Sequence, residues 1–164
     1  MPNVSPQTNG PLGVDVTAIE TSPKFDLGTE FTDKLGTTYR YCKSIGALAQ
    51  YKLSYHDSAY ILGAAATTAL IGLTNSRPCC VPQMSGGFTA ANQYGWVAVK
   101  GPLTVSALTL CAAVAQVYST TTGGSVDDTA ASMCKIVGLS LNSTVGGSTA
   151  DTPAFASTYM VATP

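Results

Sequence analysis

The stretch "NQYGWVAVKG", Asn92 to Gly101, decides how the chain is read. It opens on a turn, runs through Trp96, Val97, Ala98 and Val99, and closes at Gly101-Pro102, which is the pattern of a strand between two turns. Successive side chains of a strand point to opposite faces, so Trp96, Ala98 and Lys100 share one face and Val97 and Val99 the other. The tryptophan is the only one in the chain and has no polar constellation beside it. Its indole is therefore expected to pack in a barrel or at a subunit seam, with the N–H finding one acceptor. Gly95 and Gly101 bracket the strand and let the chain bend at its ends.

The same pattern extends in both directions. "TTYRYCK" alternates, with Tyr39 and Tyr41 on one face and Thr38, Arg40 and Cys42 on the other. Before it, "FDLGTEFTDKLGT" carries two Leu-Gly-Thr turns. Downstream, "LTVSALTLCAAVAQVYSTTTGG" reads as one or two strands, "SVDDTAASM" as a polar connection and "CKIVGLSLNS" as a strand ending at Asn142. "TVGGSTADTP" reads as a loop and "FASTYMVATP" as a last strand. "RPCCVPQMSGG" reads as a loop, with its two cysteines in a loop or at a strand edge between prolines. The region from Ser44 to Leu73 fits both periods: Leu48, Tyr51 and Tyr55 fit a helical face, and Tyr51, Leu53 and Tyr55 fit a strand. Its alanine-rich part can hold one short helix, and "TALIGLTN" reads as a strand closed by a turn. Strands at even spacing with Gly-rich turns predict an all-β fold, a compact barrel or sandwich-like domain, with too few helical crossovers for a parallel α/β sheet.

Residues 1–24 carry four prolines and few large apolar groups and are expected to form an extended N-terminal arm, with residues 25–164 as the β-barrel domain. Within the arm "VDVTAIE" alternates and could join a sheet as a strand. The N-terminus has neither the basic nor the apolar region of a secretory signal. The most apolar window, Ala59 to Leu73, is 15 residues long, short of the ~20 that span a bilayer, so no membrane partner is expected.

Composition narrows the function classes. Of 164 residues, 10% are charged, against a usual ~25%, and the net charge is −1. Eight scattered cations do not make the basic surface that nucleic acid requires, so direct nucleic-acid binding is not expected. Polarity comes instead from 22 threonines and 15 serines. The mean hydropathy of +0.21, inflated in part by 21 alanines, points to apolar patches covered in an oligomer or lattice.

Catalytic machinery is not legible. His56, the sole histidine, lies in "SYHDSAY", where strand alternation sends its imidazole and the Asp57 carboxylate apart, so it reads as a surface or loop residue. No nucleophile elbow or nucleotide-binding glycine motif is present. Asp127-Asp128 reads as a solvated turn or a helix N-terminus. The five cysteines lack metal-ligand spacing and are expected as free thiols, with Cys111 and Cys134 in the core. No catalytic residue, cofactor or metal site is predicted.

The order of motifs resembles a family. "FDLGTEFTDKLGTTYRYCKS", an apolar-Gly strand at Ile71-Gly72, "YGWVAVKG", "VYSTTTGG", "KIVGLSL" and a closing strand with Met160 follow one another as in the small capsid decoration, or cement, proteins of tailed bacteriophages. The resemblance covers roughly residues 25–162. Gln50 to Ala69 is richer in alanine and tyrosine than that pattern, and the Cys79-Cys80 segment departs from it. The resemblance implies a β-barrel present in many copies on the outer face of the virion head, made in the host cytoplasm. It would bridge major capsid protein subunits and copies of itself, as a homotrimer or other oligomer, and hold the shell against packaged DNA. Candidate capsid or subunit contacts are Val14, Val16, Ile19 and Phe25 in and beside the arm, and Trp96. A tail or neck virion protein is the alternative. A ligand-binding β-barrel near Trp96, or a hydrolase built on His56 and Asp57, is a third reading.

Overall fold

In the computed structural model, residues 14–63, 76–129 and 134–163 are described. They contain eleven strands and no helix. The alanine-rich stretch read as a short helix, the strand read into "TALIGLTN" and the Ile71-Gly72 motif fall outside the described residues.

The organising strand is β7, Tyr94–Ala107. It does not end at Gly101-Pro102 as the sequence suggested; it runs through both residues for five more. Gly101 adopts a φ of +91°, which only glycine takes without strain, and the pairing register with Thr38–Ser44 slips just before it, between Ala98 and Lys100. What looked like a terminator is a bulge that redirects the strand. Pro102 has no amide to donate, yet sits opposite Phe155 within the ladder.

Because β7 is long, its two halves serve different partners. Residues of its first half pair with β3 (Thr38–Ser44) on one edge, and with β1 (Ile19–Glu20) and β6 (Arg77–Pro82) on the other. Its second half pairs along Gly101 to Ala107 with β11 (Ala150–Thr163). Two five-strand circuits result. In one, β3, β7, β6, β4 (Ser54–His56) and β5 (Ile61–Gly63) pair in turn, and β5 closes back on β3 in parallel. In the other, β7, β11, β10 (Lys135–Leu141), β8 (Val117–Ser119) and β9 (Val126–Asp127) pair in turn, and β9 closes on β7 in parallel. A second seam joins the circuits where β11 meets β6 at Val161–Pro78 and Ala162–Arg77. Closed pairing leaves few free sheet edges; the short β2 (Glu30–Thr32), paired only with β3, retains one.

Alternation along β7 feeds two cores. Val97 and Val99 join Cys42, Leu62, Cys80, Leu48, Met84 and Phe88 in one cluster. Trp96, Ala98, Leu103, Val105 and Ala107 join the larger cluster with Tyr41, Val81, Ile136, Leu141, Ala156 and Met160. The first half of β7 is thus buried on both faces, with Trp96 and Ala98 on one and Val97 and Val99 on the other as the alternation placed them, and Lys100 is exposed.

Burial on both faces also explains two corrections. "RPCCVP" is not a loop or an edge but the whole of β6, with Cys79 facing the larger core and Cys80 the smaller. The prolines obscured it because they are usually confined to edges and strand ends. In "VDVTAIE" only Ile19 and Glu20 form a strand. Val14 and Val16 precede it in a turn fixed by Asp15, which accepts the Thr17 amide at 2.9 Å, and both valines pack into the larger core.

Candidate functional site

Of the sequence-predicted contacts, Val14, Val16, Phe25 and Trp96 belong to the larger core, and Ile19 packs against the smaller one. Trp96 is 2% exposed and is ringed by Tyr41, Phe25 and Phe31 at centroid distances of 5.1, 5.2 and 6.3 Å. No acceptor for its N–H is found among the described residues. Its surroundings are ring edges and aliphatic carbons. Tyr41 donates to Glu20 Oε2 at 2.6 Å and accepts from the Lys24 amide at 3.2 Å, and Lys24 pairs with Glu20 at 2.8 Å. Burial, then the bond to Glu20, pushes the Tyr41 phenol up to about 12. These contacts pin residues 14–27 to the domain. Val14 and Val16 are buried within this chain, and Ile19 and Phe25 are half-buried against its cores.

His56 is not a surface or loop residue: it lies on β4 and is 2% exposed. Arg40 on β3 donates from Nη1 to His56 Nε2 at 2.7 Å. A guanidinium cannot accept, so Nε2 carries the lone pair and Nδ1–H donates to the Asp57 carbonyl at 2.8 Å. Burial holds the imidazole below its ordinary pKa, with Arg40's charge adding to the effect and the Asp57 carbonyl opposing it. The Asp57 carboxylate turns away, as the alternation argument predicted, and accepts the Ala59 and Ile61 amides at 2.8 and 3.0 Å.

Arg40 reaches further. Its Nε donates to Glu30 Oε1 at 3.0 Å, its Nη2 contacts the same oxygen, and Tyr159 on β11 donates to Glu30 Oε2 at 2.8 Å. The guanidinium also lies over the Tyr60 and Tyr159 rings, 5.7 and 5.4 Å from their centroids. Burial alone would raise the Glu30 pKa, but hydrogen bonds from Arg40 and Tyr159 and Arg40's charge together bring it below the ordinary carboxylate value. A cleft of about 790 Å³, lined by Arg40, His56, Asp57, Ser58, Tyr60 and Arg77, opens beside this group. In this cleft both imidazole nitrogens and the Arg40 carboxylate partner are already engaged.

A constellation that the sequence did not reveal lies between the circuits. Lys52 Nζ donates to Ser106 Oγ at 2.8 Å and Ser125 Oγ at 3.0 Å, and the two hydroxyls are 3.3 Å apart. A serine–lysine pair is a known nucleophile and base. Here both serines are at most 2% exposed, which leaves no room for a substrate and makes the trio a polar staple. Its members are 54 and 19 positions apart along the chain, with no local signal to join them. Cys111, Asp127 and Asp128 also converge, their ligand atoms within 4.8 Å of one another. Asp128 accepts the Ala112 amide at 3.0 Å, and burial with the two carboxylates pushes the Cys111 thiol up to about 11, so this group closes a loop onto β9. All five cysteines are buried and outside disulfides; burial was expected of Cys111 and Cys134 and not of Cys79 and Cys80.

The outward features are apolar. Leu35, Ile45, Leu110 and Val114 are each more than half exposed. Leu110 and Val114 stand in the β7–β8 loop with φ of 66° and 62°, a costly backbone for a bulky and for a β-branched residue. Hydrogen bonds hold that loop in place: the Leu110 amide donates to the Gly146 carbonyl at 3.2 Å, Val114 to Leu141 at 3.1 Å, and Ala113 to Thr144 Oγ1 at 3.1 Å. At the β2–β3 turn, Asp33 Oδ1 accepts the Leu35 and Thr37 amides, each at 2.9 Å, and presents Leu35 in the same way.

No protein-family model matches the chain, and no curated protein matches it significantly.

Proposed function

We propose that this is a virion structural protein that binds the outer surface of a tailed-bacteriophage capsid and stabilises the shell. The observation that carries the reading is the β7–β8 loop. Leu110 and Val114 are exposed to water at 69% and 81% while holding unfavourable backbone angles, two costs in one rigid loop that lacks acid–base chemistry. A preformed apolar projection suits docking onto another protein, because little order is lost on binding. The low charge and the order of strand motifs support the same reading. Many copies, each binding modestly, would stabilise a shell through multivalency.

The test is to add purified protein to undecorated heads. Binding and greater resistance of the heads to heat are expected; neither appearing would sink the proposal. Replacing both loop residues, Leu110→Ser with Val114→Ser, should weaken head binding by about tenfold or more and leave the isolated fold as stable as before. Imaging of labelled particles separates the head surface from a tail or neck location, the alternative reading.

A further inference from the structure

We propose that Arg40 and His56 form an acid-opened latch that ties the β2–β3 hairpin to β11. The geometry carries the inference. Arg40 Nη1 donates to His56 Nε2 at 2.7 Å, so the contact exists only while that nitrogen has its lone pair. Nδ1 is already committed as a donor to the Asp57 carbonyl at 2.8 Å. A proton arriving at Nε2 turns an acceptor into a second donor and places two cations in contact.

Among the charged groups around the ring, the Asp57 charge favours imidazolium, but less than the Arg40 charge opposes it. Arg40 faces it from β3, and Arg77 from β6 lines the same cleft. The Tyr60 ring packs 5.5 Å away, and the nearby Cys42 and Cys80 thiols stay protonated under burial. Of the two carboxylates, Asp57 Oδ1 is occupied by two backbone amides, and Glu30 by Arg40 and the Tyr159 hydroxyl. Imidazolium therefore has only the smaller Asp57 charge to offset Arg40's, and the Arg40–His56 contact is lost.

The consequence is local. Arg40 supplies both of Glu30's contacts from β3, and Glu30 is the link from β2 to Tyr159 on β11. β2 is three residues long and pairs only with β3, so losing this link frees it first. The sign follows from the buried ring, whose folded pKa lies below the ordinary value of 6.5. The latch is closed at neutral pH and opens as pH falls through that lowered value. The accompanying stability is fully present above 6.5 and declines as pH drops below it.

Amide exchange and the His56 ring resonance should be followed together on the full chain from about pH 7.5 to about pH 5, which keeps Glu30 ionised. After correction for intrinsic exchange, the β2 amides should lose about tenfold or more protection at the midpoint of the His56 titration, while those of β10 keep theirs. In His56→Gln, whose side-chain oxygen can accept from Arg40 without titrating, β2 protection should not change with pH. If that variant does not fold, the wild-type titration decides alone. His56 titrating with no change at β2, or β2 and β10 losing protection together, overturns the latch.

Discussion

Gly101 and Gly36 hold nearly the same backbone angle, φ +91° and +87°, but in different surroundings. A Cβ on Gly101 would run into the Gly36 carbonyl oxygen and come within 2.8 Å of Thr37 Cα, whereas one on Gly36 meets nothing within 4 Å. Gly36→Ala therefore incurs only the left-handed backbone, about 1 kcal/mol. Gly101→Ala adds a backbone clash in the central strand and should cost on the order of 3 kcal/mol. Urea unfolding of the two variants checks this; equal midpoints would mean that the close approach at the bulge has no energetic weight. The same pair shows what a residue pattern can convey. Gly-Pro after an alternating run correctly marked a break in regularity at Gly101, but sequence alone does not distinguish the end of a strand from a bulge within it. That difference is made by β11, whose partner residues are about fifty positions away.

At the scale of elements, legibility followed residue pattern and punctuation more than burial. β3, β10 and β11 could be read because apolar and polar residues alternate along them or glycines bound them. β6 could not, because its cysteines are buried on opposite faces and its prolines imitate a loop. His56 was misplaced for a related reason: the arginine that makes its burial tolerable lies on a different strand, sixteen positions earlier. The burial of β6 has a chemical consequence. Burial pushes the Cys42 and Cys79 thiols up to about 12 and Cys80 upward as well, and Cys111 and Cys134 are equally enclosed. At about pH 8, where an exposed thiol is substantially ionised, a thiol reagent should label none of the five in the folded protein and all five in denaturant. Rapid labelling of one thiol under native conditions would show that its strand opens locally, and peptide mapping would identify which.

At the scale of the whole molecule, the question is whether two circuits make two folding units. Each has its own closing parallel pair, and the smaller cluster lies on the first circuit alone, which argues for separability. Against this, β7 belongs to both, β6 and β11 pair across the seam, and Trp96 sits in a cluster that runs from the β3–β7 sheet into the β10–β11 pair. Strand β7 cannot detach from one circuit without exposing the core of the other, so the shared strand should enforce one transition. Leu62→Ala in the smaller core and Leu141→Ala in the larger should each lose about 2–5 kcal/mol. In both variants the fluorescence of Trp96, the only tryptophan, should follow the same denaturant curve as backbone circular dichroism, with an unchanged slope. Two separated transitions in Leu62→Ala, with the tryptophan signal following only the later one, would mean that the larger core survives alone and that β7 acts as a tether. A single shifted curve in both means that the long bulged strand makes the two circuits one cooperative body. For a protein proposed to hold a shell together, that matters directly, because load on the loops of one circuit would then be resisted by both cores.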